Sequence, residues 1–214
     1  MTSADPMILR LMTWLSPSFP IGAFAYSGGL ETIAQGNIHG DLEDWLETLL
    51  TCGPLRNDAI LLNAAMKSED TDTNLSALTL AMATSPERHD ELRDLGTSFQ
   101  RAAVPWMPDW HNSPERLAYP VAVGALARHH HMETLLVLQA FLHATLVNQI
   151  QVGQRLLPIG QAAAMAMLAD LEPEILHHAH AITTLTLDDL GSAAFLMDHA
   201  ALNHATLTSR IFRS

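Results

Sequence analysis

The chain has 214 residues, 48% of them hydrophobic and only 16% charged, with 11 Lys+Arg against 23 Asp+Glu and a formal net charge of −12. That balance argues against a binder of nucleic acid or anionic membrane, and a charged fraction below the roughly 25% of an average soluble domain implies that partners cover part of the surface. The single cysteine, Cys52, excludes an intrachain disulfide and a CxxC zinc site and suits a reducing compartment.

Met1 to Pro6 carries no positive n-region, and Arg10 interrupts the apolar segment that follows, so no secretory signal is read. The expected location is cytoplasmic. Asp41 precedes Leu42, Trp45, Leu46, Leu49 and Leu50, the spacing of one apolar helix face, and Gly53-Pro54 closes that helix. Acidic residues at its start (Asp41, Glu43, Asp44, Glu47) suit the helix dipole and need no catalytic role. Cys52, beside Gly53, reads as a small buried residue rather than a nucleophile. Ser85-Pro86-Glu87 is an N-cap followed by proline, opening a helix with Leu92, Leu95 and Phe99 on one side.

Residues Val104 to Glu115 hold Pro105, Pro108 and Pro114, so they read as a loop. Its indoles, Trp106 and Trp110, either fold back on the body or face a partner. Pro120, Pro158 and Pro173 mark further helix starts or kinks. From Glu133 to Leu157 the apolar residues spread around the whole cylinder, as in a helix central to the fold or covered by a second subunit. Gln139, His143, Asn148, Gln149 and Gln151 interrupt it too often for a membrane span. His143 is expected to be a hydrogen-bonded core residue. An Ala- and Met-rich helix follows, from Pro158 to Leu171. Strand and hairpin signals are nearly missing. The expected fold is all-α, a single-domain bundle of about eight to ten helices.

Chemical motifs are scarce. Lys67 is the one lysine and no glycine-rich loop precedes it; GxGxxG, GxSxG and HExxH are missing too. His129-His130-His131 reads as a solvated helix end. His177 and His180 stand i, i+3 on a helix, a spacing that suits a weak, exchangeable nickel or zinc site, with solvated helix surface as the plainer reading. No catalytic residue and no cofactor is expected.

Four blocks carry a resemblance. Ser16-Pro17-Ser18-Phe19-Pro20-Ile21-Gly22, continuing through Tyr26-Ser27-Gly28-Gly29-Leu30-Glu31, resembles the N-terminal signature of the UreF family of urease accessory proteins. Tyr119 to Ala127 is similar to that family's central block, and Arg155-Leu156-Leu157-Pro158-Ile159-Gly160-Gln161 to its basic-x-x-Pro-x-Gly-Gln element. Ser209-Arg210-Ile211-Phe212-Arg213-Ser214 is like the family's closing segment. The blocks fall in family order and span nearly the whole chain. Before the last block the family often reads His-Glu-Thr-Gln-Tyr, where this chain has His204-Ala205-Thr206-Leu207-Thr208.

The resemblance implies a non-catalytic, dimeric all-α protein. It would bridge a second accessory protein, UreD (also called UreH), and the GTPase UreG to apo-urease during nickel insertion. A chaperone carrying nickel on its own histidines is the alternative. Partner-binding residues are expected at Tyr26, Ser27, Gly28, Gly29 and Glu31; at Arg155 and Gln161; and at Arg210, Phe212 and Arg213. Residues 206–214 are expected to be a flexible partner-binding tail with Phe212 as its anchor. The homodimer is expected through the apolar helices between Leu135 and Leu171.

Overall fold

The computed structural model describes residues 6–36, 41–67 and 72–214. The reading of Met1 to Pro6 as lacking a signal thus lies almost wholly outside the described residues. Ten α-helical segments and three short 3-10 turns account for the regular structure, with no strand among the described residues. They are α1 (Pro6–Trp14), α2 (Leu30–Ala34), α3 (Leu42–Thr51), α4 (Pro54–Lys67) and α5 (Asp72–Ala81), then α6 (Pro86–Ala103), α7 (Tyr119–His129), α8 (Thr134–Leu156), α9 (Gln161–Ile182) and α10 (Phe195–His204). The all-α expectation holds.

The helix ends follow side-chain chemistry. Asp41 accepts a hydrogen bond from the Asp44 amide at 2.8 Å and caps α3. Ser85 accepts from the Arg88 amide at 3.1 Å and caps α6, with Pro86 in the first turn. Glu133 caps α8 through both oxygens, taking the amides of Leu135 and Leu136 at 2.9 and 2.7 Å. Each satisfies amides that would otherwise lack partners at a helix start.

α7 forms the centre, packed against α4 and α6, and every residue from Pro120 to Ala127 is buried. The central sequence block is therefore scaffold. α8 packs against α3, α4 and α9 and buries Val137, Leu138, Phe141, Leu142, Leu146 and Ile150. It is the one helix among the described residues long and apolar enough to cross a membrane, yet it carries the buried Gln149, whose Oε1 accepts from the Trp45 indole N–H at 3.2 Å.

Several expectations need correction. His143 is exposed, not core. A helix that is apolar all round gives no phase, and α8 turns this residue outward. Cys52 is half-buried, at the end of α3. Pro158 does not open a helix; α9 starts three residues later and runs straight through Pro173. Proline inside a helix removes the bond to the carbonyl four residues back, and here that residue, Ala169, is exposed, so water can serve its carbonyl.

The segment from Val104 to Glu115 folds back on the body and contains a 3-10 turn, Pro108–Asn112. Trp106 lies 5.9 Å from Trp14 in an edge-on pair, and Trp110 lies edge-on to Phe99 at 6.4 Å. Nor is His130 merely a solvated helix end. Its Nδ1 faces Arg10 Nη1 at 2.9 Å and its Nε2 the Trp106 carbonyl at 3.0 Å, so the ring ties α1, α7 and this segment together.

Candidate functional site

Three of the four sequence blocks come together where the 209–214 segment lies against the turn before α2. The turn is made by glycines. Gly28 and Gly29 have φ of 64° and 98°, left-handed backbone that residues with a Cβ adopt at a cost. At Gly29 a Cβ would also sit 2.8 Å from the Ala201 amide nitrogen, so its absence lets α10 approach. The Thr32 hydroxyl then donates to the Ala200 carbonyl at 3.0 Å.

Glu31, one residue into α2, has no exposed surface. Its carboxylate accepts from the Ile211 amide at 2.7 Å, from the Phe212 amide at 3.1 Å and from Nε2 of the equally buried His204 at 3.0 Å. Burial works against the carboxylate, but the Ile211 amide, the His204 ring and the Phe212 amide outweigh it and hold its pKa below the ordinary value. Among the described residues, His204 Nδ1 has no hydrogen-bond partner.

Main-chain pairing completes the seam. The Ser27 amide donates to the Ser214 carbonyl at 2.8 Å, the Ser27 hydroxyl bonds the same oxygen, and the Arg213 amide donates to the Ala25 carbonyl at 2.7 Å. Gln35 Nε2 reaches the Ser209 carbonyl at 3.0 Å. The Tyr26 phenol, buried in the seam, has its pKa raised by burial, with Arg213 as a hydrogen-bonding neighbour that opposes the shift and Asp94 as one that adds to it.

Arg155 enters from the end of α8. Its guanidinium lies 4.3 Å from the centre of the Phe212 ring and donates to the Phe24 carbonyl at 3.0 Å. Arg155 thus forms a cation–π lid on the segment. Gln161, the first residue of α9, is exposed and joins none of these contacts.

These distances correct the picture of a loose tail. Residues 209–214 are docked on their own chain, because Glu31 satisfies two of their amides and Phe212, 4% exposed, fills a pocket. Phe212 is therefore an internal anchor. What remains outward is Ser209, Arg210, Ile211 and Arg213, with Ile211 64% exposed. Phe24 is also exposed, and α10 turns Phe195, Leu196 and Leu202 outward. Ala205 and Thr208, where the resembled family places Glu and Tyr, are exposed as well. The role of His204 in holding the segment was missed from sequence, although His204 and Thr206 are the two positions of that run that keep the family's residues.

Beneath the seam lies a cavity of about 200 Å³, lined in part by Trp45, Phe141 and the ionic cluster Asp58, Arg88 and Glu91. Arg88 bonds Asp58 and lies 2.8 Å from Glu91. Burial raises the Asp58 pKa; on Arg88 burial is outweighed by the two carboxylates, which keep the guanidinium charged. His177 and His180 are exposed on α9, and no group of three or more metal-ligating side chains gathers among the described residues.

A family model described as UreF matches residues 39–172. The chain is 44% identical over 215 residues to the urease accessory protein UreF of Rhizobium etli strain CIAT 652, covering 97% of this chain and 96% of that one. It is 42% identical over 215 residues to the protein of the same name from Mesorhizobium japonicum, with 97% and 96% covered. Against that from Bradyrhizobium sp. strain BTAi1 the identity is 40% over 231 residues, with 100% and 95% covered.

Proposed function

We propose a function for this chain from one premise: it belongs to the UreF family of urease accessory proteins. The chain acts as a non-catalytic scaffold in the cytoplasm, bridging UreD (UreH) and the GTPase UreG to apo-urease while nickel is inserted. The observation that carries this reading is the seam itself. Three blocks far apart in sequence are spent on fixing a main-chain segment in place, and the fixed segment presents Arg210, Ile211 and Arg213 outward. Ordering a segment costs roughly 1–2 kcal/mol per residue in backbone entropy. Bearing that cost before a partner arrives lowers the cost of binding one.

UreD is assigned to the surface bearing Ile211, Phe24 and the outward side chains of α10. Exposed aromatic and aliphatic groups beside arginines are the composition of binding hot spots. Tyr26, Ser27, Gly28, Gly29 and Glu31 contribute by holding that surface, and Arg155 holds it from the other side. The Arg155 and Gln161 region is assigned to UreG.

The homodimer is assigned to α8 and α9. On α9, Ala162, Met165, Ala166, Ala169 and Leu176 are exposed at helical spacing, a ridge of small and apolar residues over which a second copy can pack closely. Co-expression of a urease operon with and without this gene tests the function. Activity and nickel content of urease should fall without it, and UreD and UreG should co-purify with the tagged chain. Full activation in its absence would reject the proposal.

A further inference from the structure

The segment from Val104 to Glu115 takes no part in the seam, yet it builds a second, chemically distinct feature. Between it and α6 is a cleft of about 560 Å³, lined by Arg101, Arg116, His111, Trp110, Thr97 and Gln100 among others. The cleft is open to solvent on the side where Arg101, Pro105, His111 and Arg116 are exposed. The cleft is basic on a chain of net charge −12, and no carboxylate lines it. The nearby carboxylates of the segment, Asp109 and Glu115, are exposed and outside its lining.

The walls are held in place. Gln100 is buried and clamps the segment at two points, its Nε2 donating to the Glu115 carbonyl at 3.4 Å and its Oε1 accepting from the Leu117 amide at 3.0 Å. Trp110 is steadied edge-on by Phe99 and remains half-exposed. Arg116 Nη1 is tied to the carbonyls of Ser113 and Glu115 at 2.7 and 3.2 Å. Among the described residues its remaining N–H groups have no acceptor, and Arg101 makes no ion pair or hydrogen bond. A guanidinium carries five donors, so both heads retain capacity for an anion.

We infer that this cleft binds a small ligand joining a phosphate to a planar ring, the class of a nucleoside monophosphate. Two guanidiniums match a phosphate dianion in charge and in forked donor geometry, where a single carboxylate would leave one cation uncompensated. The indole offers the ring a stacking face, a contact indifferent to base identity. The site is independent of the maturation role, because none of its residues touches the seam. It also requires no P-loop, since binding here involves no hydrolysis.

Calorimetry on the full-length protein with adenosine 5′-monophosphate, adenosine and inorganic phosphate, each at low and high salt, tests this. Saturable binding of the monophosphate below about 1 mM is expected, weakened by salt, with adenosine and inorganic phosphate each at least about tenfold weaker. Arg101→Gln, at an exposed position that should leave the fold intact by circular dichroism, should weaken the monophosphate about tenfold, and Arg116→Gln similarly. Equal affinity for inorganic phosphate would mean a plain anion site and overturn the inference. So would no saturation by the monophosphate, or an Arg101→Gln affinity within about twofold of the parent.

Discussion

Glu31 and His204 meet at 3.0 Å with neither side chain exposed, joining the start of α2 to the end of α10. The same carboxylate takes two main-chain amides from the 209–214 segment. One side chain thus holds both the end of α10 and the middle of that segment. Glu31→Gln keeps the shape but turns an amide NH2 toward donors. Hydrogen bonds to charged groups contribute about 1.5–3 kcal/mol each, and leaving donors buried and unpaired costs a similar amount. The variant should lose about 2–3 kcal/mol in urea unfolding, and the Ile211 and Phe212 amides should exchange hydrogen faster than in the parent.

Gly29→Ala and Gly22→Ala separate backbone conformation from packing. Both glycines have positive φ, 98° and 81°, but only Gly29 has a neighbour in the way, with nothing within 4 Å at Gly22. Gly22→Ala should cost about 1 kcal/mol, the cost of the left-handed conformation alone. Gly29→Ala adds a clash with α10 and should cost at least about 2 kcal/mol more. Thermal unfolding of the two variants side by side distinguishes them.

Stability should fall on acidification below neutrality. The His130 pKa is lowered from its ordinary 6.5, first by burial and then by Arg10, His129 and His131, against the Trp106 carbonyl, which favours the charged ring. The unfolded chain therefore takes up a proton before the folded one does, and stability is lost as pH drops below about 6.5. His178, lowered mainly by burial with His177 next, adds in the same direction. Glu31, whose folded pKa is lowered below 4.5, contributes fully above that value and loses its contribution only at more acid pH. Urea midpoints between pH 7.5 and 5.5 should decline, and His130→Gln should flatten the decline.

Phe212→Leu should be tolerated better than Phe212→Ala. Both lose the ring beneath Arg155, but leucine still fills most of the pocket, whereas truncation leaves a void costing about 3 kcal/mol or more. Limited proteolysis checks this: cleavage within 205–214 should rise in the order parent, Leu, Ala.

Helix starts were legible where one side chain does the work, as at Asp41 and Ser85, because capping is a local matter between residues three apart. The docking of the tail was not. Its bonds join residues 174 to 188 apart and end largely on main-chain amides and carbonyls, which every sequence supplies and none advertises. The side of α8 that carries His143 was misjudged because an all-round apolar helix has no preferred face in its sequence. His130 was misjudged because its partners, Arg10 and the Trp106 carbonyl, lie on two other elements.

The central claim is that the docked segment is a surface for UreD, and Ile211→Asp tests it most directly. Ile211 is 64% exposed and contributes only its amide to the seam, so the fold and the Glu31 bonds should survive the change. The measurement is recovery of UreD with the tagged chain from cells expressing the urease operon. The account predicts parent-like helicity and solubility with UreD recovery and urease activation both falling at least about tenfold, the loss of one hot spot. Parent-level UreD recovery by the folded Ile211→Asp protein would contradict it.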